Sequence, residues 1–516
     1  MRQILIDSLQ AETLAPALPD EIGDQLAQTV ISPLADIAVY PRSITAANRC
    51  LYFLGRRGSE KYVGIIAKTS QQVQTLNTSR AIRFKDCNLH LALGPADADA
   101  AEVLKKALSF LKPRCIGLVP SVGCGDRLGL ATPGHVRALA KTKLAAVLCQ
   151  QSVRENSRTS RSPRQVLDDA MWGAWQEGWR KGFGADADHL KTTNEIDAFV
   201  NAGYTFYTID PGDYMDPGAD ETDTVQLEEK IAALPWDTLQ ATAEDLVYGL
   251  TRRPLELDGF SVQLTREEVF RSAAKYGAVI AHTLKMVRHL RREMDSKPFE
   301  LEVSVDETNS ATTLAEHIYI ATELSRLGIV VNSLAPRYVG DFEKGVDYIG
   351  DVASFEASFA HHAAVARAFG NYKMSLHSGS DKFAVYSAIS RHTKGLLHIK
   401  TAGTSYLEAL RTVSEKNPSL FREILVFSMT RYAVDRATYH VSATIEKMPP
   451  VSHMTDSSLP GVLDDFHARE VLHVTYGSVL GKPALHKGLF DTLHANETVY
   501  ADNLERHFGR HFTLLE

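Results

Sequence analysis

Acids, imidazoles and cations recur in this sequence at the ends of short β-rich runs, and their types limit the chemistry they can do. DADHLK carries Asp188, His189 and Lys191, and SLHSGSDKF carries His377, Asp381 and Lys382. His189 and His377 are borderline nitrogen ligands; together with a carboxylate they suit zinc, manganese or a similar divalent cation and leave positions open for substrate. LEVSVDET places Glu302 and Asp306 four apart, hence on one face of a strand. Such a pair can serve as acid and base, or can be buried against Lys or Arg across the fold. Further strand ends supply Arg127 and His135 in GDRLGLATPGH, Gln151, Arg154 and Glu155 in QQSVREN, and Asp210 and Asp213 in DPGD. Arg337, Asp341 and Glu343 follow in APRYVGDFEKGVDY, and His398 and Lys400 in LHIKTAGTS, whose glycine-bearing turn could cradle an anion. A single strand-end histidine is more often a hydrogen-bonded structural residue than a ligand, and only several such residues converging on one mouth point to a site. The cations Arg127, Lys191, Arg337, Lys382 and Lys400, with Gln151, are candidates to hold an anionic substrate, or else neutralise the neighbouring acids.

These groups can meet only if the strands lie parallel and side by side. From about residue 115, β-rich runs alternate with segments of helical period, which implies a parallel sheet. The expected strands are 115–119, 144–149, 184–188, 205–209, 300–305, 329–334, 373–377 and 396–400. Eight is the number that closes a βα barrel, whose chemistry sits at the C-terminal ends of its strands. The connecting helices have legible ends: Thr313 and Glu316 form a capping box with Gly328 at the C-cap, Pro163 opens another helix, and a Phe355–Phe359–Ala363–Ala366 stripe stops at Gly370. Nearly ninety residues separate the fourth and fifth runs, so an insertion is expected at about 216–278. Residues 1–110, with strand-like runs at Cys50–Leu54 and Tyr62–Ile66, read as an N-terminal α+β unit. The barrel then spans 111–415, and 416–516 reads as an α/β extension packed on it.

Composition excludes several function classes. The 516 residues are 44% hydrophobic, enough for more than one core. Lys plus Arg total 56 against 63 Asp plus Glu, with no long cationic run, so neither nucleic acid nor an anionic membrane is an expected partner. The five cysteines, Cys50, Cys87, Cys115, Cys124 and Cys149, lack CxxC spacing, which disfavours a disulfide scaffold and fits a reducing cytoplasm. No export signal or membrane-spanning run is read, and the oligomeric state, a homo-oligomer included, stays open. Gly123-Cys-Gly125 has Leu128 where a dinucleotide fingerprint needs glycine, and HExxH and GxSxG are absent.

The segments GDRLGLATPGH, QSVREN, GADADHLKT, EVSVDET, APRYVGDFEKGVDYIGD, SLHSGSDKF and HIKTAGTSY resemble the tagaturonate epimerase family, with looser likeness at DRATYHVSA and HVTYGSVLGK. The resemblance implies a barrel enzyme that interconverts D-tagaturonate and D-fructuronate with a divalent metal of zinc, manganese, nickel or cobalt type. It further implies a metal on His189, His377 and a carboxylate, Glu343 first and Glu302 or Asp306 otherwise. The two sugar acids differ at carbon three, counted from the carboxylate, whereas the ketone is at carbon five. That C–H bond is not acidified by the ketone, so retro-aldol cleavage between carbons three and four, followed by re-addition to the other face, is the expected route. It requires a Lewis acid at the ketone, acid–base groups, for which Glu302 and Asp306 are the candidates, and cations for the substrate carboxylate. A class II-type aldolase and a non-catalytic sugar-acid binding protein are the alternatives; released three-carbon fragments would identify the first, and any turnover would exclude the second.

Overall fold

The computed structural model describes residues 2–74, 76–77, 80–84, 89–450 and 454–516. Eight parallel strands close a barrel: β1 (Ser121–Cys124), β2 (Ala145–Ser152), β3 (Gly184–Leu190), β4 (Phe206–Ile209), β5 (Glu300–Val305), β6 (Ser333–Pro336), β7 (Lys373–Leu376) and β8 (Leu397–Thr401). Closure is made by β8 on β1, where Lys400 lies opposite Gly123. Nearly every barrel residue is buried on both faces, as a sheet lined by side chains inside and wrapped by helices outside requires.

Two strands lie later than the apolar runs suggest. Residues 115–119 are not a strand; β1 begins after Pro120, and Leu118 and Val119 are exposed. The Ile116 and Gly117 amides donate instead to the Glu300 carboxylate at 2.7 and 2.6 Å, and Gly117 adopts φ +80°, so this run forms a turn at the N-terminal end of the barrel. Likewise β6 starts at Ser333, and Val330 is exposed. In both places apolar residues outside the ladder imitate a buried strand.

The helices at Pro163–Gln176, Leu314–Arg326 and Val352–Ala368 form where their caps indicate; Thr313 and Glu316 make the reciprocal capping pair. Between β4 and β5 the chain builds short helices, a hairpin (Leu255–Leu257 with Phe260–Val262) and the 29-residue helix Arg266–Met294. Lys275 of that helix is clamped to Asp220 and Glu316 at 2.8 and 2.9 Å, which ties the insertion to the barrel's outer helices.

Before the barrel lies an antiparallel sheet that includes Cys50–Arg57 and Glu60–Ala67, followed by the helix Ala98–Ala107. After β8 the described residues form helices and their connecting segments with no strand, which corrects the expected α/β character of 416–516. Period-four stripes account for it: Tyr500, Leu504, Phe508 and Phe512 bury one face of Glu497–Thr513. Gly134 in the helix Thr132–Ala140 lets that face approach closely, since a Cβ there would meet Leu504 Cβ at 2.4 Å. Cys50, Cys115, Cys124 and Cys149 are unpaired, and Cys87 lies outside the described residues. Among the described residues no helix is long and apolar enough to cross a membrane.

Candidate active site at the barrel mouth

A buried lysine organises the barrel interior. Lys400 on β8 reaches Asp186 and Asp188 on β3 and Glu302 on β5 at 2.8, 2.7 and 2.8 Å. Burial disfavours an ammonium, but the three carboxylates outweigh it and hold Lys400 well above the ordinary lysine range. Two of those carboxylates each grip a histidine. Asp188 Oδ1 pairs with His189 Nδ1 at 2.8 Å, and Glu302 Oε1 pairs with His377 Nε2 at 2.7 Å. Ser333 donates to the other Glu302 oxygen at 2.5 Å.

These contacts determine which ring nitrogens remain available. An imidazole that donates from one nitrogen presents a lone pair on the other. Buried His377 Nδ1 has no hydrogen-bond partner, and Asp306 Oδ1 lies 3.2 Å from it. His189 sits against His377 with ring centroids 4.9 Å apart, and ligand atoms of His189, Asp306 and His377 all lie within 4.8 Å of one another. Two acceptors this close without a proton between them favour a cation. The surroundings draw positive charge to this position: burial opposes a charged imidazole, yet Asp306, with Glu302 behind the ring, raises His377 to about 10, so a metal bound here takes the place of a proton. The donor set therefore fits a divalent metal held by two carboxylate-backed histidines and one carboxylate.

Local backbone geometry brings these groups together. Alternation along β3 would turn His189 away from Asp186 and Asp188, but His189 adopts φ 56°, which swings its ring back into the mouth. A left-handed conformation costs a residue with a Cβ roughly 1–2 kcal/mol. Glu302 and Asp306 share a face and hold opposite nitrogens of His377. Only Asp306 lines the cavity above; Glu302 is fully buried with both oxygens occupied.

That cavity has a volume of about 720 Å³ and is walled by residues at or just after the ends of all eight strands and by residues 438–440, within the usual range for a small-molecule site. Arg127, Lys191, Arg337 and Lys400 line it, each committed to protein carboxylates. Gln151 does not; it bonds Thr159 and Arg161, and its neighbour Gln150 faces inward toward Asp188. Lys382 is also outside, donating to the carbonyls of Glu343, Val346 and Ser380, and burial lowers it to about 8. Glu343 does not join the histidines. It accepts from the Ser442 amide and hydroxyl at 3.1 and 2.8 Å and pairs with Glu470, so it anchors the C-terminal extension while Phe342 and Lys344 on either side face the cavity. The glycine turn after β8 is filled as well: a Cβ on Gly403 would meet the His473 ring at 2.4 Å.

Asp210, at the end of β4, was not among the expected catalytic groups. It is buried, its Oδ2 has no hydrogen-bond partner, and Lys191 Nζ lies 3.5 Å away. Burial raises its pKa, with His189 and Lys191 pulling only partly against it. With His189 and exposed Glu307 it forms a second cluster of ligand atoms within 4.8 Å.

The family model for tagaturonate epimerase (UxaE) matches residues 40–515. The chain belongs to the tagaturonate epimerase family. It is 44% identical over 416 residues to the tagaturonate/fructuronate epimerase of Thermotoga maritima, a match covering 80% of this chain and 84% of the relative. The crystal structure of the fructuronate-tagaturonate epimerase from Cohnella laeviribosi with one glycerol bound superposes with a TM-score of 0.87 at 31% identity, covering 95% of this chain and 99% of that one. The native form of the same protein gives a TM-score of 0.86. As a tagaturonate epimerase family member, the chain is an isomerase that acts on carbohydrate.

Proposed function

We propose that this chain interconverts D-tagaturonate and D-fructuronate by breaking and remaking the bond between carbons three and four. The observation that carries the reading is the convergence of His189, Asp306 and His377, each imidazole backed by a carboxylate, beside the free carboxylate oxygen of Asp210. The named activity of the Thermotoga maritima and Cohnella laeviribosi relatives supports the choice of substrates.

Carbon three is two bonds from the ketone, so its hydrogen stays in place and the reaction must act on its hydroxyl. When held by His189, Asp306 and His377, a divalent cation of zinc, manganese, nickel or cobalt type supplies Lewis acidity at the ketone end of the substrate. Asp210 takes the proton of the 3-hydroxyl, and its raised pKa brings it closer to the range in which a carboxylate can both accept and return a proton. As that O–H pair becomes a carbonyl, the pair joining carbons three and four passes to the ketone half. The aldehyde half turns over, the bond reforms on its other face, and the proton returns to the new hydroxyl. Glu307, 3.7 Å from Lys191, is the second carboxylate within reach of that oxygen. Lys400, Asp188 and Glu302 hold the two imidazoles fixed throughout.

The test is conversion of D-tagaturonate by purified protein supplied with each of the four metals. Fructuronate formation that stops on chelation and returns on metal addition is expected; no conversion with any metal would overturn the proposal.

A further inference from the structure

We propose that Arg154 and Lys344 together bind the substrate's carboxylate and hold the aldehyde half in place while it turns over; this rests on the ketouronate reading above. The cavity brings acids and cations together: Asp188, His189, Asp210, Asp306 and Glu307 come from the ends of β3, β4 and β5, while Arg154 follows β2 and Lys344 lies in the loop after β6. A substrate with a keto-diol at one end and a carboxylate at the other can meet the histidine cluster with the first and these two cations with the second.

Most cations at the mouth already have anionic partners. Arg127 pairs with Glu155 at 3.0 Å and stacks on Tyr476, Lys191 pairs with Asp213, Arg337 with Asp341, and Lys400 with three carboxylates. Among the described residues, Arg154 and Lys344 have no carboxylate within ion-pair distance, although both line the cavity. Lys344 Nζ donates to Ser378 Oγ at 2.5 Å, one residue beyond His377. The Arg154 guanidinium lies 5.5 Å from the Tyr439 ring, in the segment that Glu343 anchors through Ser442. The two cations repel each other: burial, then Arg154, pushes the Lys344 amine below its ordinary range. A carboxylate between them relieves that repulsion and accepts charge-assisted hydrogen bonds from both, the guanidinium offering the planar fork that carboxylates fit.

The arrangement matters for the outcome of the reaction. Cleavage of the six-carbon acid gives tartronate semialdehyde, which keeps the carboxylate, and dihydroxyacetone, which keeps the ketone. The half that must present its other face is the one the cations hold. Anchored by its carboxylate, it can turn without leaving, so the bond is remade and the fragments are retained.

The test compares wild-type, Arg154→Gln, Arg154→Lys and Lys344→Met proteins, all metal-loaded, on D-tagaturonate, with D-glycerate and glycerol as inhibitors. Expected for Arg154→Gln is a loss of about 10- to 100-fold in kcat/KM, mostly in KM. The glycerate inhibition constant should rise by a similar factor, glycerol inhibition should not change, and three-carbon products should be released that wild type retains. Arg154→Lys should recover part of the loss. Because Lys344 also contacts the Ser378 loop, Arg154→Gln is the decisive variant. Wild-type turnover with unchanged KM and unchanged glycerate inhibition in Arg154→Gln would overturn the anchor alone. Wild-type protein inert on D-tagaturonate would overturn the substrate reading, and the anchor with it.

Discussion

Replacing Glu302 with glutamine separates two roles that its position in the sequence cannot. In the structure Glu302 does not reach the cavity. One oxygen lies 2.7 Å from His377 Nε2 and 2.8 Å from Lys400 Nζ, and the other accepts from Ser333. In the proposed site its task is to orient His377 so that Nδ1 can meet a metal beside Asp306 and His189. The amide keeps the shape but removes the charge, and an NH2 turned toward the ring would reverse the imidazole tautomer. Loss of a partner behind a metal-ligating histidine typically weakens metal affinity by about 10–100-fold, equivalent to about 1.4–2.7 kcal/mol. Folding should suffer less, because Asp186 and Asp188 still neutralise Lys400. Titration of Mn²⁺ or Zn²⁺ into apo-protein gives the affinity, and kcat at saturating metal gives the chemistry. The expected result is weaker metal binding with kcat largely restored at saturation. A loss of about a hundredfold in kcat at saturation with unchanged metal affinity would make Glu302 the proton-transfer group and refute this reasoning.

Asp210→Asn should show the opposite pattern, with metal affinity retained and kcat reduced by about 10²-fold or more; near-normal turnover would remove Asp210 from proton transfer. Lys400→Met leaves three buried carboxylates without their cation and should cost about 3–5 kcal/mol of stability, the usual penalty for breaking a buried ion pair from one side, together with metal binding; thermal and denaturant unfolding measure it. Glu470 is raised to about 8, by burial first and then by Glu343. A carboxyl whose folded pKa is raised stabilises the fold fully below its unfolded pKa and loses that contribution as pH rises through the folded value. Wild-type Tm should therefore fall between about pH 4.5 and pH 8 relative to Glu470→Gln, and parallel curves for the two proteins would contradict the raised Glu470 carboxyl.

The barrel was legible because each strand end carried its polar residues in a distinct motif and the helices between had readable caps. The strand beginnings were not, since Cys115–Val119 and Ile329–Val331 are apolar for reasons other than strand pairing. His189 and His377 could be paired on residue type alone. Their carboxylate ligand could not, because Glu343 lies in a loop where period-two alternation no longer applies, and only folding shows that it faces Ser442 and Glu470. Gln151 for Gln150 is an error of strand parity by one residue. Lys400 read as a substrate cation until barrel closure placed three carboxylates around it. Arg154 is one strand-end cation among many in the sequence and Lys344 gives no signal there; the two stand out only after the ion pairs of the other cations at the mouth are known.

Cleavage between carbons three and four is tested most directly by NMR of D-tagaturonate incubated with metal-loaded protein in D2O. Bond cleavage and re-addition never remove the hydrogen from carbon three, so the expected product is D-fructuronate carrying protium there. Stoichiometric deuterium at carbon three would contradict the carbon–carbon route, and the absence of fructuronate would contradict the function itself.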